Sequence, residues 1–147
     1  MSNNREKSSL PLIGMTSENA SKYNIDPKFF EEHDIHIHCP EGAVPKDGPS
    51  AGVAITTAII SCLSHTPVNP DVAMTGEVTL RGNALPIGGL REKSLAALRS
   101  GIKAIIVPKD NKKDIEELPK EVKESLVIKT METVDDAVAF ALLTKND

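Results

Sequence analysis

The segment 50–63 constrains the fold more than any other. It reads Ser-Ala-Gly-Val-Ala-Ile-Thr-Thr-Ala-Ile-Ile-Ser-Cys-Leu, apolar on almost every side of a helix. It is too long for an ordinary strand, and a helix that is apolar all round is one that a core encloses. A chain of 147 residues has room for one such core and too little for two. With three Phe, one Tyr and no Trp, that core has to be aliphatic.

The remaining pattern is mixed. Asp26 suits a helix N-cap and Pro27 the first helical position, which predicts a short helix over 26–32. Residues 34–39 alternate, placing Ile35, Ile37 and Cys39 on one face of a strand and His36 and His38 on the other. A Pro- and Gly-rich loop fills 40–49. Strands are predicted at 72–80 and 83–87, joined through Arg81, Gly82 and Asn83. A helix follows over 89–100, with Gly101 as its C-terminal cap. The run 102–107 is a strand closed by Pro108. Short helices at 112–117 and 120–123, a strand at 127–128 and a helix at 134–143 complete the chain. Strand, helix and strand over 102–143 predict parallel pairing, so the fold class is α/β (α+β), a single compact domain of short mixed sheets packed with helices. Residues 1–14 read as a polar, mobile tail before a domain over 15–147.

Charge and composition narrow the function. The net charge is −4 and the Lys and Arg residues are dispersed, whereas a phosphate-backbone partner calls for a basic patch, so nucleic acid is not expected. No apolar run approaches the ~20 residues that span a bilayer, and no signal peptide is recognisable. The expectation is a soluble protein in a reducing compartment, with Cys39 and Cys62 as free thiols in or near the core. Their spacing fits no metal site.

The loop 45–52, Pro-Lys-Asp-Gly-Pro-Ser-Ala-Gly, delivers Ser50 to the start of the apolar helix. Two readings are open. A serine there caps unpaired N–H groups. A hydroxyl nucleophile there has those same donors, and the positive end of the helix, to form an oxyanion site. Gly48, Ala51 and Gly52 would admit a substrate close to the backbone, and Pro45 and Pro49 would stiffen the loop. A serine nucleophile also needs a base, for which the strand histidines and the lysines are candidates. On a helical wheel Leu90, Ser94, Ala97 and Leu98 share one face, with Lys93 at its edge and Arg91, Glu92 and Arg99 on the wet side. Lys93 is then either a snorkelling surface lysine or a general base. For the base, partial burial and the positive end of its own helix would favour the neutral amine.

Three motifs settle which family the chain resembles. Residues 45–52, followed by 74–82 (Met-Thr-Gly-Glu-Val-Thr-Leu-Arg-Gly) and 85–93 (Leu-Pro-Ile-Gly-Gly-Leu-Arg-Glu-Lys), occur in the order and at the spacing of the proteolytic domain of Lon proteases. The resemblance runs from about Tyr23 to the C-terminus. It implies the Lon protease domain / ribosomal protein S5 domain 2-like fold, with Ser50 as nucleophile and Lys93 as general base of a Ser–Lys dyad. Thr75 matches the position that hydrogen-bonds the lysine amine, and Asp47 an acidic position near the dyad. His36 and His38 match paired strand histidines, read as structural or groove-lining. Arg91 stands where many members have lysine.

What the resemblance implies about function is a serine endopeptidase acting on unfolded proteins or peptides and packing as a sixfold homo-oligomeric ring. Bacterial cytoplasm is the expected compartment, with an organelle matrix as the alternative. No Gly-x-x-x-x-Gly-Lys-Ser/Thr phosphate loop occurs, so no cofactor is expected in these residues, and ATP would act only through a separate ATPase module. Residues 1–22 are too short to supply the family's first strands and helix, so the domain reads as N-terminally truncated. The alternative is a catalytically inert module serving assembly or binding. A remoter alternative is a small-molecule kinase, since 47–52 superficially resembles the phosphate-cradling loop of the galactokinase and homoserine kinase superfamily. That family's loop is richer in Gly and Ser and its chain is longer.

Overall fold

Ala104-Ile-Ile-Val-Pro108 is apolar at every position, the mark of a strand covered on both faces rather than one. The structure, a computed structural model, describes residues 16, 19–37 and 49–143. Among them are five strands: β1 Val72–Met74, β2 Glu77–Val78, β3 Ala84–Leu85, β4 Ala104–Pro108 and β5 Val127–Met131. The α-helices are α1 Phe29–Glu32, α2 Gly52–Ser64, α3 Leu90–Arg99, α4 Lys112–Glu116, α5 Lys120–Ser125 and α6 Val134–Ala141. Strand β4 is the middle of a three-stranded parallel sheet ordered β1-β4-β5. Its five residues are all buried.

Two cores follow from the period-two alternation of β4. Ile106 points to one side, against Val53 and Ile60 of α2 and Val134, Ala137 and Ala141 of α6. Ile105 and Val107 point to the other, against Leu90 and Ala97 of α3, Val122 of α5 and the nearby Leu118 and Leu126. Burying each of these large aliphatic side chains stabilises the fold by roughly 1.5–3 kcal/mol. Parallel neighbours need crossover connections. The β2–β3 hairpin and α3 lie between β1 and β4, and α4 and α5 between β4 and β5. The sheet thus separates α2 from α3.

The α/β class and the parallel pairing over 102–143 are as the sequence predicts. Several details differ. The strand expected at 72–80 is broken after Met74: Thr75 N–H still donates to the Ile106 carbonyl at 3.1 Å, but Gly76 N–H turns away to the Ser50 carbonyl at 2.8 Å. Residues 33–37 carry no strand assignment, for no strand among the described residues pairs with them, although Ile35 and Ile37 are half-buried and His36 exposed in the expected alternation. Asp26 does not cap α1; its carboxylate accepts from Lys28 N–H and closes a turn ahead of the helix. Strand β5 runs to Met131, longer than predicted, because it pairs with β4 along its whole length. At α6, Thr133 and Asp136 form a capping box whose Thr-x-x-Asp pattern was readable in the sequence.

Helix α2 is not enclosed all round. Ala58 and Cys62 are exposed, so Cys62 is a free thiol on an open flank and not a core residue. The physical reason is spacing: Ala58 and Cys62 lie one turn apart on the stripe that faces away from the sheet. Cys39 and the tail 1–14 lie outside the described residues.

Gly76 has no room for a side chain. A Cβ there would lie 2.7 Å from Met131 Cε and 2.8 Å from Val53 Cγ2, whereas one at Gly88 would meet nothing within 4 Å. Gly76→Ala is therefore expected to cost about 1–3 kcal/mol in urea unfolding by overpacking. Gly88→Ala should stay within about 0.5 kcal/mol of the parent.

Candidate active site

The start of α2 is laced to the end of β1. Ser50 lies in the 3-10 turn Pro49–Ala51 that precedes the helix. Its carbonyl accepts from Gly76 N–H at 2.8 Å and, more weakly, from the Thr75 hydroxyl at 3.5 Å. In return the Gly76 carbonyl accepts from Val53 N–H at 3.0 Å. Gly52 permits this approach, since a Cβ there would press to 3.2 Å from Val78 N and 3.4 Å from the Gly76 oxygen. The cap position of α2 falls to Ala51. The Ser50 hydroxyl instead accepts a hydrogen bond from the Lys93 amine, Nζ to Oγ 2.9 Å. Of the two readings open for this serine, the cap is not made: no side chain bonds an N–H at the start of α2.

Lys93 arrives from the opposite side of the sheet. Helix α3 begins after Gly89, which holds φ +71° at the cap position, and Lys93 N–H donates back to the Gly89 carbonyl at 3.1 Å. Leu90, Ser94 and Ala97 of α3 are buried, Arg91, Glu92 and Arg99 exposed, and Lys93 half-buried at the boundary between them. The wheel drawn from the sequence thus matches the observed faces. The amine reaches past the sheet to Ser50 and also donates to the Thr75 hydroxyl at 3.3 Å. Thr75 is buried, the first residue beyond β1. Three side chains from three elements therefore converge beyond the carboxyl end of one parallel strand, where α/β sheets ordinarily place their sites.

The other predicted site residues divide into two groups. His38, Asp47 and Gly48 lie outside the described residues, and of Pro49 the backbone alone is described. His36 and Ala51 line a groove of about 460 Å³ along α2, with Ile35, Ile37, Ala54 and Ile55 among its other walls. It is predominantly aliphatic and begins one residue from Ser50. What sequence reasoning missed is Gly76, quoted within a motif yet given no task. The signal was a Thr-Gly pair directly after a short apolar strand, where a glycine marks a bend and a backbone N–H is released. Among the described residues no cluster of three or more His, Cys, Asp or Glu side chains could hold a metal ion. No helix among them is long and apolar enough to cross a membrane.

The profile of the family described as Lon protease (S16) C-terminal proteolytic domain matches residues 6–144. The match begins upstream of Tyr23, where the motif resemblance begins. The chain is 59% identical to the Lon protease of Haemophilus influenzae over 123 residues, 84% of this chain and 15% of that protein. It is 54% identical to the Lon protease of Chloroflexus aggregans over 137 residues, 93% of this chain and 17% of that protein. With the Lon protease of Escherichia coli K12 it shares 55% identity over 123 residues, 84% of this chain and 16% of that protein. The chain thus spans about one-sixth of the length of the curated relatives it matches.

The left-handed backbone at Gly89 directs α3, and with it Lys93. Any L-residue there pays the steric penalty of positive φ, about 1–2 kcal/mol. Gly89→Ala should lower the urea midpoint accordingly, while Arg91→Ala on the exposed side of the same turn leaves it within error.

Proposed function

This chain belongs to the family of Lon protease C-terminal proteolytic domains, and on that premise we propose that it hydrolyses peptide bonds in unfolded protein segments as a Ser–Lys endopeptidase. The observation that carries the reading is the 2.9 Å contact between Lys93 Nζ and Ser50 Oγ. It lies within the range over which a base takes a proton from its nucleophile. The same contact supports an enzyme over an inert assembly module, since a module of that kind has no need of an aligned dyad.

The steps follow from the geometry. Uncharged Lys93 takes the Ser50 hydroxyl proton as the oxygen attacks the scissile carbonyl. The Thr75 hydroxyl holds the amine from a second direction and fixes its lone pair toward Ser50. Backbone N–H groups of the turn that opens α2 stabilise the oxyanion. Lys93 then passes its proton to the leaving amine. Water, deprotonated by the same amine, releases the acyl group and restores the hydroxyl. The aliphatic groove beside Ala51 suits apolar side chains of an extended substrate. In this reading His36 is a wall of that groove and not a proton carrier, and His38 and Asp47 keep the supporting places that the family pattern gives them.

The wider context is proposed on the same premise. Substrates are unfolded proteins or peptides, presented by an ATPase module that alone uses ATP. The peptidase domains assemble as a homo-oligomeric, sixfold ring, and the compartment is the bacterial cytoplasm. Light scattering of the purified chain tests the ring.

Ser50→Ala and Lys93→Ala are expected to lower cleavage of a casein-like unfolded protein by several powers of ten. Lys93→Arg should fail equally, because a guanidinium is not a neutral base. Thr75→Val, which keeps the shape and removes the hydroxyl, should cost about tenfold in kcat, the worth of one hydrogen bond to the amine. A fluorophosphonate adduct located on Ser50 by mass spectrometry would identify the nucleophile. Cleavage that survived Lys93→Ala would rule out the dyad.

A further inference from the structure

We infer that Asn111 is a positioning residue for Lys93, fixing from a distance the helix that presents the amine to Ser50. This rests on the dyad reading above and deepens it. Asn111 is 1% exposed and stands at the cap position of α4, where asparagine ordinarily bonds its own helix. No such cap bond is made. The amide is directed to the loop ahead of α3 instead. Its Oδ1 accepts from Ile87 N–H at 3.0 Å, and its Nδ2 donates to the Ile87 carbonyl at 2.8 Å. Nδ2 also donates to Asp114 Oδ2 at 2.7 Å, which orients the amide plane.

One side chain thus pairs with both backbone groups of one residue, as a neighbouring strand would. Ile87 needs this, for it follows β3, precedes α3 and belongs to neither. The next positions are Gly88, with open space around it, and Gly89 at φ +71°. Two successive glycines leave the entry to α3 intrinsically loose. The Asn111 clamp is the last fixed point before them, and Lys93 lies six residues on. The dyad tolerates little drift, since a misplacement of about 1 Å at a reacting group can cost about 100-fold.

The test compares Asn111→Ala and the isosteric Asn111→Asp with Val122→Ala, a control that thins the same core but leaves the Asn111–Ile87 hydrogen bonds in place. All are measured on the full chain at a temperature where circular dichroism shows each folded. In both Asn111 variants kcat should fall about 10- to 100-fold with KM within about twofold. The side-chain NMR signal of Lys93, assigned by its loss in Lys93→Arg, should move toward those of the exposed Lys112 and Lys113. Val122→Ala should lower the unfolding midpoint and change neither readout. If Asn111→Ala does not fold, Asn111→Asp decides, because it keeps the shape and one acceptor while removing the donor to Ile87. An unmoved Lys93 signal with kcat near the parent's, or an equal loss in Val122→Ala, overturns the inference. If the parent and Ser50→Ala are equally inactive, the peptidase reading fails, and the Lys93 signal still reports whether Asn111 aims the lysine.

Discussion

Everything at the site depends on a reciprocal backbone clamp. Gly76 N–H bonds the Ser50 carbonyl while Val53 N–H bonds the Gly76 carbonyl, so the start of α2 is tied to the end of β1 by two hydrogen bonds running in opposite directions. The clamp costs β1 its continuation, since the N–H that would extend the strand is diverted. It also demands two glycines, Gly52 and Gly76, at points where a methyl group would collide with neighbouring backbone or packed side chains. Each net hydrogen bond contributes only about 1 kcal/mol to stability. The greater effect is directional: the Ser50 hydroxyl is left facing the lysine.

The second constraint is the sheet itself. Strand β4 is buried on both faces, so the helices covering it are separated by the sheet, and Ser50 and Lys93 ride on opposite layers. They meet because β1 is an edge strand and short, leaving a gap beyond Met74 through which a lysine side chain reaches. Thr75 occupies that gap and bonds both partners. The length of the lysine side chain at position 93 is what spans the layers.

How much of this was legible in the residues varies with the range of the interaction that decides each feature. The helices and the parallel unit were readable because local pattern dictates them: an unbroken apolar run for β4, a wheel with one greasy face for α3, glycines at its ends. The pairing of Ser50 with Lys93 was legible through motif spacing. The break in the strand after Met74 was harder to read: Gly76 was its local sign, but the group that diverts its N–H is a carbonyl 26 residues upstream. The open flank of α2 was misread for a similar reason. Apolar character all round says that burial is favourable, but not which neighbours are present to provide it. Asn111 was invisible as well, since its partner lies 24 residues earlier and no local pattern joins the two.

Because the serine and the lysine come from separate layers, neither half of the domain holds the pair by itself. A chain still emerging during synthesis, or one whose outer helices have come undocked, holds a bare hydroxyl and a distant, solvated ammonium. The contact between the two side chains is thereby a property of the completed tertiary structure and of no smaller piece of it.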